Sequence, residues 1–227
     1  MKLLSLSDQV LEFIYSPTVK ERFEDVDLVL GCGDLPYYYL EYLIDQIGKP
    51  VFYVRGNHAA TVEYSQRAER KGPWGAVDLH RKVMNFRGLL IAGFEGSIRY
   101  RQGPFMYTQS EMWSMVLNMA PRLVANRVRY GRSLDLLATH APPWGIQDQP
   151  DPAHQGFKAF RWLLKVFRPR YHFHGHIHVY GKETPVLTRF RDTLVVNTYG
   201  YRETNLHLHP MARPSRPARE VGVGSQD

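Results

Sequence analysis

Short apolar runs recur along this chain, and each leads directly into a glycine, aspartate, asparagine or histidine. The runs at 2–6, 27–30, 51–54, 134–138 and 171–174 end at Ser7-Asp8, Gly31-Cys32-Gly33-Asp34, Arg55-Gly56-Asn57-His58, Thr139-His140 and Gly175-His176-Ile177-His178. Each run reads as a β-strand. Pro36 opens a helix-like stretch that continues to about Ile47, and Gly48-Lys49-Pro50 ends it. Strand, helix, strand is the signature of an α/β fold with parallel strands. Parallel strands end on one edge, so Asp, Asn and His residues far apart in sequence can meet there. Hard oxygen donors mixed with imidazoles suit divalent metals such as Mn, Fe or Zn.

The remaining segments fit the same class. Residues 82–86 and 89–94 read as a hairpin turning at Arg87-Gly88. Residues 60–75 and 95–108 read as loops, and 141–151 as a proline-rich loop. Residues 111–128 are helical in pattern, with Pro121 expected to break or kink the helix. A further helix is expected at 157–167 and a closing antiparallel pair at 184–190 and 193–196. One domain is expected over 1–210, followed by a disordered tail at 211–227 rich in Pro, Arg, Ser and Gly. No internal repeat is present.

With 227 residues and 44% hydrophobic content, the chain can build a sizeable core. The single cysteine, Cys32, excludes an intramolecular disulfide. No stretch is long and apolar enough to span a bilayer, and a cytoplasmic location is expected. The net charge of +7 favours anionic partners, although the basic residues are dispersed rather than blocked together.

In order, spacing and strand context, Asp8, Gly33-Asp34, Gly56-Asn57-His58, His140 and Gly175-His176-Ile177-His178 resemble the calcineurin-like metallophosphoesterase superfamily over roughly residues 1–200. The resemblance implies a four-layer α-β-β-α sandwich with two mixed β-sheets. It also implies two divalent ions (Mn, Fe, Zn or Mg) at the strand ends. Asp34 takes the place of the bridging carboxylate. Asn57, His140 and His176 would complete the second metal, and Asp8 and His178 the first. His58 resembles the histidine that contacts phosphate and protonates the leaving oxygen.

The chain departs from the family pattern at three places. Val10 stands where the first motif carries a histidine, which leaves three readings: a first metal held more loosely by Asp8, Asp34 and His178, a substitute ligand such as Gln9 or Cys32, or a second metal site that alone binds well. Tyr37 stands where the second motif carries an aspartate, and Ala59 where the third carries an acid. Beyond the motifs, His154 and Arg99 are candidates for substrate contact, against a helix-start or solvent reading for His154 and a solvated-loop reading for Arg99. Asp148 is read as a loop or helix-start residue, and His172, His174 and Asn197 as structural.

The expected activity is metal-dependent hydrolysis of a phosphomonoester or phosphodiester by metal-activated water. The substrate could be a nucleotide or nucleic acid. The rivals are a binding or scaffold protein with weakened catalysis, and a nuclease acting on RNA or DNA.

Overall fold

The computed structural model describes residues 1–64, 69–181 and 183–207. Two sheets carry the architecture. The first contains β1 (Lys2–Ser7), β2 (Leu28–Cys32), β3 (Val51–Val54) and β4 (Val77–Asp78). The second contains β5 (Val83–Phe86), β6 (Leu89–Phe94), β7 (Leu136–Thr139), β8 (Tyr171–His174), β9 (Leu187–Phe190) and β10 (Thr193–Asn197). The last strand, β11 (Gly200–Asn205), returns to the first sheet. The strand orders are β11-β1-β2-β3-β4 and β9-β10-β8-β7-β6-β5. Strands β1 to β4 are parallel, and β11 runs antiparallel on the outside of β1. In the second sheet β6, β7, β8 and β10 are parallel, flanked by antiparallel β5 and β9. Both sheets are therefore mixed.

Side-chain alternation along the strands sets the layers. Leu3, Leu28, Leu30, Phe52 and Val54 of the first sheet meet Leu89, Ile91, Leu136, Phe173 and Val196 of the second in one buried cluster. The opposite face of the first sheet, with Leu4, Leu6, Val29 and Val51, packs on Ile14, Val19, Phe23, Tyr39, Leu40 and Leu43. Those residues come from and flank helices α1 (Val19–Arg22) and α2 (Tyr37–Ile47). The outer face of the second sheet, with Leu90, Ala92, Leu137 and Val195, packs on α3 (Gln109–Tyr130) and α4 (Lys158–Phe167). The result is the four-layer α-β-β-α sandwich. Phe173 lies fully buried between the sheets, and Phe173→Ala is expected to destabilise the fold by about 3–5 kcal/mol, read from urea unfolding.

The helix at 111–128 is longer than expected and does not break. α3 runs through Pro121 without interruption, opened by a capping box in which Thr108 and Glu111 bond each other's backbone N–H. The carbonyl that Pro121 leaves without its helical donor is that of Leu117, an exposed residue, so water can take the place of the missing N–H. Two of the three expected loops contain short strands: Glu63–Tyr64 pairs with Glu69–Arg70, and Ser97–Ile98 pairs with Met106–Tyr107. The tail expected at 211–227 lies outside the described residues.

Candidate functional site

The C-terminal ends of β1, β2, β3, β6, β7 and β8 open on one edge of the sandwich, and backbone hydrogen bonds join them. Asp8 N–H donates to Gly33 O (3.1 Å), Gly175 N–H to His140 O (3.0 Å) and Gly96 N–H to Arg55 O (2.8 Å). Asp8, Asp34 and His176 leave their strands in the left-handed region, with φ of 64°, 53° and 67°. Asp and His tolerate this region better than most residues. Two glycines make room for the convergence. A Cβ on Gly33, at φ 96°, would overlap the His140 ring, and one on Gly56 would overlap the Asp34 carboxylate.

Asp8, Asp34 and His140 each bring a donor atom to one point, all within 4.8 Å of one another. His140 is fully buried. Its Nδ1 sits 2.9 Å from Cys32 O, which can only accept, so Nδ1 carries a proton. Its Nε2 faces two more acceptors, Asp34 Oδ2 at 3.2 Å and Asn57 Oδ1 at 3.0 Å. Three acceptors around one point require a proton or a cation between them. In the metal-free protein the proton is on His140. Burial opposes that charge, but Asp34 and Asp8 outweigh it and raise the His140 pKa to about 9. Burial likewise pushes the Asp34 carboxyl up. The His140 charge and the hydrogen bonds from His140 and from His58 N–H (2.8 Å) overcome it and bring Asp34 to about 2. Burial raises Asp8 despite the nearby His140 charge. A divalent ion fits here, since it would replace one shared proton with two charges among ligands suited to it. Asn57 Nδ2 is buried without a partner, and the amide presents its oxygen to the centre.

The remaining positions fall around this core. His176 N–H donates to Asp8 Oδ2 (3.0 Å). His176 Nε2 donates to Ala153 O (2.8 Å), which leaves Nδ1 as its lone-pair nitrogen, and its ring lies 4.8 Å from that of His140. Burial, and then the His140 charge, lower its pKa to about 3. His178 Nε2 stands 3.8 Å from Asp8 Oδ1. The His58 side chain is exposed, and its backbone is tied to Asp34. His154, held by Asp151 at 2.8 Å, places its ring 5.3 Å from His176. Arg99 is not drawn in: its guanidinium bonds Met106 O and Glu111.

The departures have structural counterparts. Val10 packs against the apolar cluster of Leu4, Leu6 and Ile14. Cys32 is buried in the inter-sheet core, where burial pushes its thiol up to about 12, so it behaves as a small apolar residue. The Gln9 amide donates to Tyr199 OH at 2.6 Å. Tyr37 donates to Ala60 O (2.6 Å) and accepts from Arg55 Nε (3.3 Å), bracing the segment that carries Asn57 and His58. Arg55 continues into Asp78 (3.0 Å) and Glu95 (3.2 Å), and Tyr107 donates to Glu95 at 2.6 Å. Nothing in the sequence pointed to this network or to Tyr199. Asp148 accepts from Gly145 and Gly156 N–H, and Asn197 Nδ2 donates to Ile177 O, so both hold loops in place.

His172 and His174 are buried and uncharged. His172 Nε2 donates to Thr139 Oγ1 (2.7 Å). His174 Nδ1 donates to Gly175 O (2.9 Å), and its Nε2 accepts from the Gln147 amide (2.7 Å). Burial depresses both pKa values, that of His174 to about 4. A folded pKa below the unfolded value of about 6.5 means the unfolded chain takes up the proton first. The stabilisation is therefore complete above pH 6.5 and is lost as pH falls toward 4. For His174 alone the loss is about 3 kcal/mol. Urea midpoints of the metal-free protein at pH 7 and pH 4.5 should differ accordingly, and equal midpoints would contradict it.

The fold has counterparts among solved structures. One shares 16% identity and a TM-score of 0.62, covering 89% of this chain and 93% of its own. TT1561 of Thermus thermophilus shares 13% identity and a TM-score of 0.53, covering 91% and 99%. Identities this low speak to the fold alone. None of the curated proteins compared matches the chain. The family model for calcineurin-like phosphoesterases matches residues 6–180, from the end of β1 to just past His178. The chain belongs to the calcineurin-like phosphoesterase family.

Proposed function

We propose that the protein is a metal-dependent phosphoesterase that hydrolyses a phosphomonoester or phosphodiester. The observation carrying this reading is the meeting of Asp34 Oδ2, Asn57 Oδ1 and His140 Nε2 at one buried point beside Asp8. Asp34 would be shared between two cations, Asn57, His140 and His176 would hold one, and Asp8 and His178 the other. Bound divalent ions supply Lewis acidity and a water that is nucleophilic near neutral pH. Asn57 contributes a neutral oxygen, so the site keeps a positive excess for a phosphate group. Hydrogen bonds to Cys32 O and Ala153 O fix which nitrogen of His140 and His176 is free to ligate. His58, exposed and tied through its backbone N–H to Asp34, would give a proton to the leaving oxygen. His154, beside His176, is the nearer candidate for contact with the phosphate, and Arg99, engaged by Glu111, is assigned no such role.

A scaffold with weakened chemistry is the rival reading. It is favoured by Val10 lying in the apolar cluster instead of offering an imidazole. Metal analysis separates the two, together with assays of p-nitrophenyl phosphate and bis-p-nitrophenyl phosphate after addition of Mn, Fe, Zn or Mg. The proposal expects at least one bound metal per chain and metal-dependent release of nitrophenolate. No bound metal and no hydrolysis with any of the four would support the scaffold.

A further inference from the structure

The sandwich is open along one side. There β11, the edge strand of the first sheet, lines one opening together with β9, the edge strand of the second, and its neighbour β10. Gly200 lies opposite Ser7 at the site end, and Asn205 opposite Lys2 at the far end. On the other wall Asn197 lies opposite His174 and Leu194 opposite Tyr171. Both edges therefore lead from the metal-ligand candidates to the opposite end, about 20 Å for a six-residue strand.

Three openings lie along this side, of about 550, 450 and 420 Å³. The first two share Leu194, Thr204 and Asn205, and the last two share Arg202, so they form one groove. Arg168, Arg170, Arg189 and His207 line its far end, and Arg202 its middle. Two carboxylates line it as well. Asp192 faces Arg168 at 3.4 Å, and Glu203 faces Lys2 at 2.6 Å, so each already has a cation. At the site end the groove meets Tyr180, which is 84% exposed. The Tyr180 ring lies 6.3 Å from Tyr199, whose ring lies 4.7 Å from His178.

An arginine-lined path ending in an exposed ring beside a phosphoester site matches one chemistry, a chain of phosphates carrying flat bases. A base can stack on an exposed ring only when it is unpaired, which favours a single strand over a duplex. We propose that this groove binds single-stranded nucleic acid, with phosphates along Arg168, Arg189 and Arg202 and a base on Tyr180. That the strand is then cut rests on the phosphoesterase reading; that it binds does not.

Fluorescence anisotropy of the full chain, stripped of metal with EDTA, with labelled 12-mer oligo-dT and oligo-rU tests this. Binding that weakens steeply with salt is expected, together with much weaker binding to duplex of the same length. Arg168→Glu/Arg189→Glu should weaken it at least tenfold and flatten the salt dependence, and Tyr180→Ala by about tenfold. Arg189→Gln, the milder change, should weaken it less and in the same direction. Both arginine variants should hydrolyse bis-p-nitrophenyl phosphate at the wild-type rate. No salt-dependent binding by the wild type, equal binding of duplex, or wild-type binding by both arginine variants would overturn the groove. Binding without hydrolysis of any small ester would support the groove and sink the phosphoesterase reading instead.

Discussion

Asparagine in place of Asp34 is expected to lower hydrolysis of bis-p-nitrophenyl phosphate by at least about 100-fold while the protein stays folded. Changes to groups that only orient a metal ligand typically cost about 10–100-fold, so loss of the carboxylate shared by both proposed cations should cost more. The fold survives for a local reason. Asp34 is the foremost group raising the His140 pKa, so with it gone the pKa falls and the neutral ring becomes easier to reach. An asparagine amide at 34 can then donate to the His140 Nε2 lone pair, and its oxygen can still accept from His58 N–H, as the carboxylate does now. Metal content and steady-state rates of Asp34→Asn, alongside its melting temperature, separate the two effects. Activity within about tenfold of wild type would remove Asp34 from the centre of the reaction.

The second large effect is on metal affinity against pH. In the metal-free protein the His140 Nε2 proton sits between Asp34 and Asn57, with a pKa of about 9. A ligand must be deprotonated to bind, so below that value each cation taken up there releases this proton. The sign follows: protons compete at low pH, so affinity rises with pH, about tenfold per unit between pH 7 and 9, and levels off above. The same raised pKa stabilises the metal-free fold fully below pH 6.5, and that contribution is lost as pH rises through 9. Cation binding therefore tightens as the empty protein weakens. Titration calorimetry with Mn or Zn in two buffers of different ionisation enthalpy counts the released protons. A count near zero at pH 7.5 would mean that His140 is not a ligand or is not held protonated.

Much of this arrangement could be read from the chain. The runs at 2–6, 27–30 and 51–54 declared themselves because strands buried on both faces are continuously apolar, and the glycines after the last two mark where backbone must approach closely. The motif order placed Asp8, Asp34, Asn57, His140 and His176 on one edge, and the structure brings them there. Three things were not legible. β11, Gly-Tyr-Arg-Glu-Thr-Asn, is an edge strand with a polar, half-exposed pattern, and its partner β1 lies at the other end of the sequence. Pro121 reads locally as a breaker, yet tertiary packing of Met112, Val116, Met119 and Leu123 on one face carries the helix through it. The bracing of Asn57 and His58 by Tyr37 and Arg55 depends on side chains that no local pattern brings together.

The left-handed turns at Asp8, Asp34 and His176 bear on any attempt to move this chemistry elsewhere. A positive φ swings the Cα–Cβ bond away from the direction an extended residue would give it, so three of the converging groups are aimed by the main chain before any rotamer is chosen. Grafting the same side chains onto straight strand ends of a foreign scaffold would leave them splayed. A transplant has to carry the twisted peptide units along with the residues.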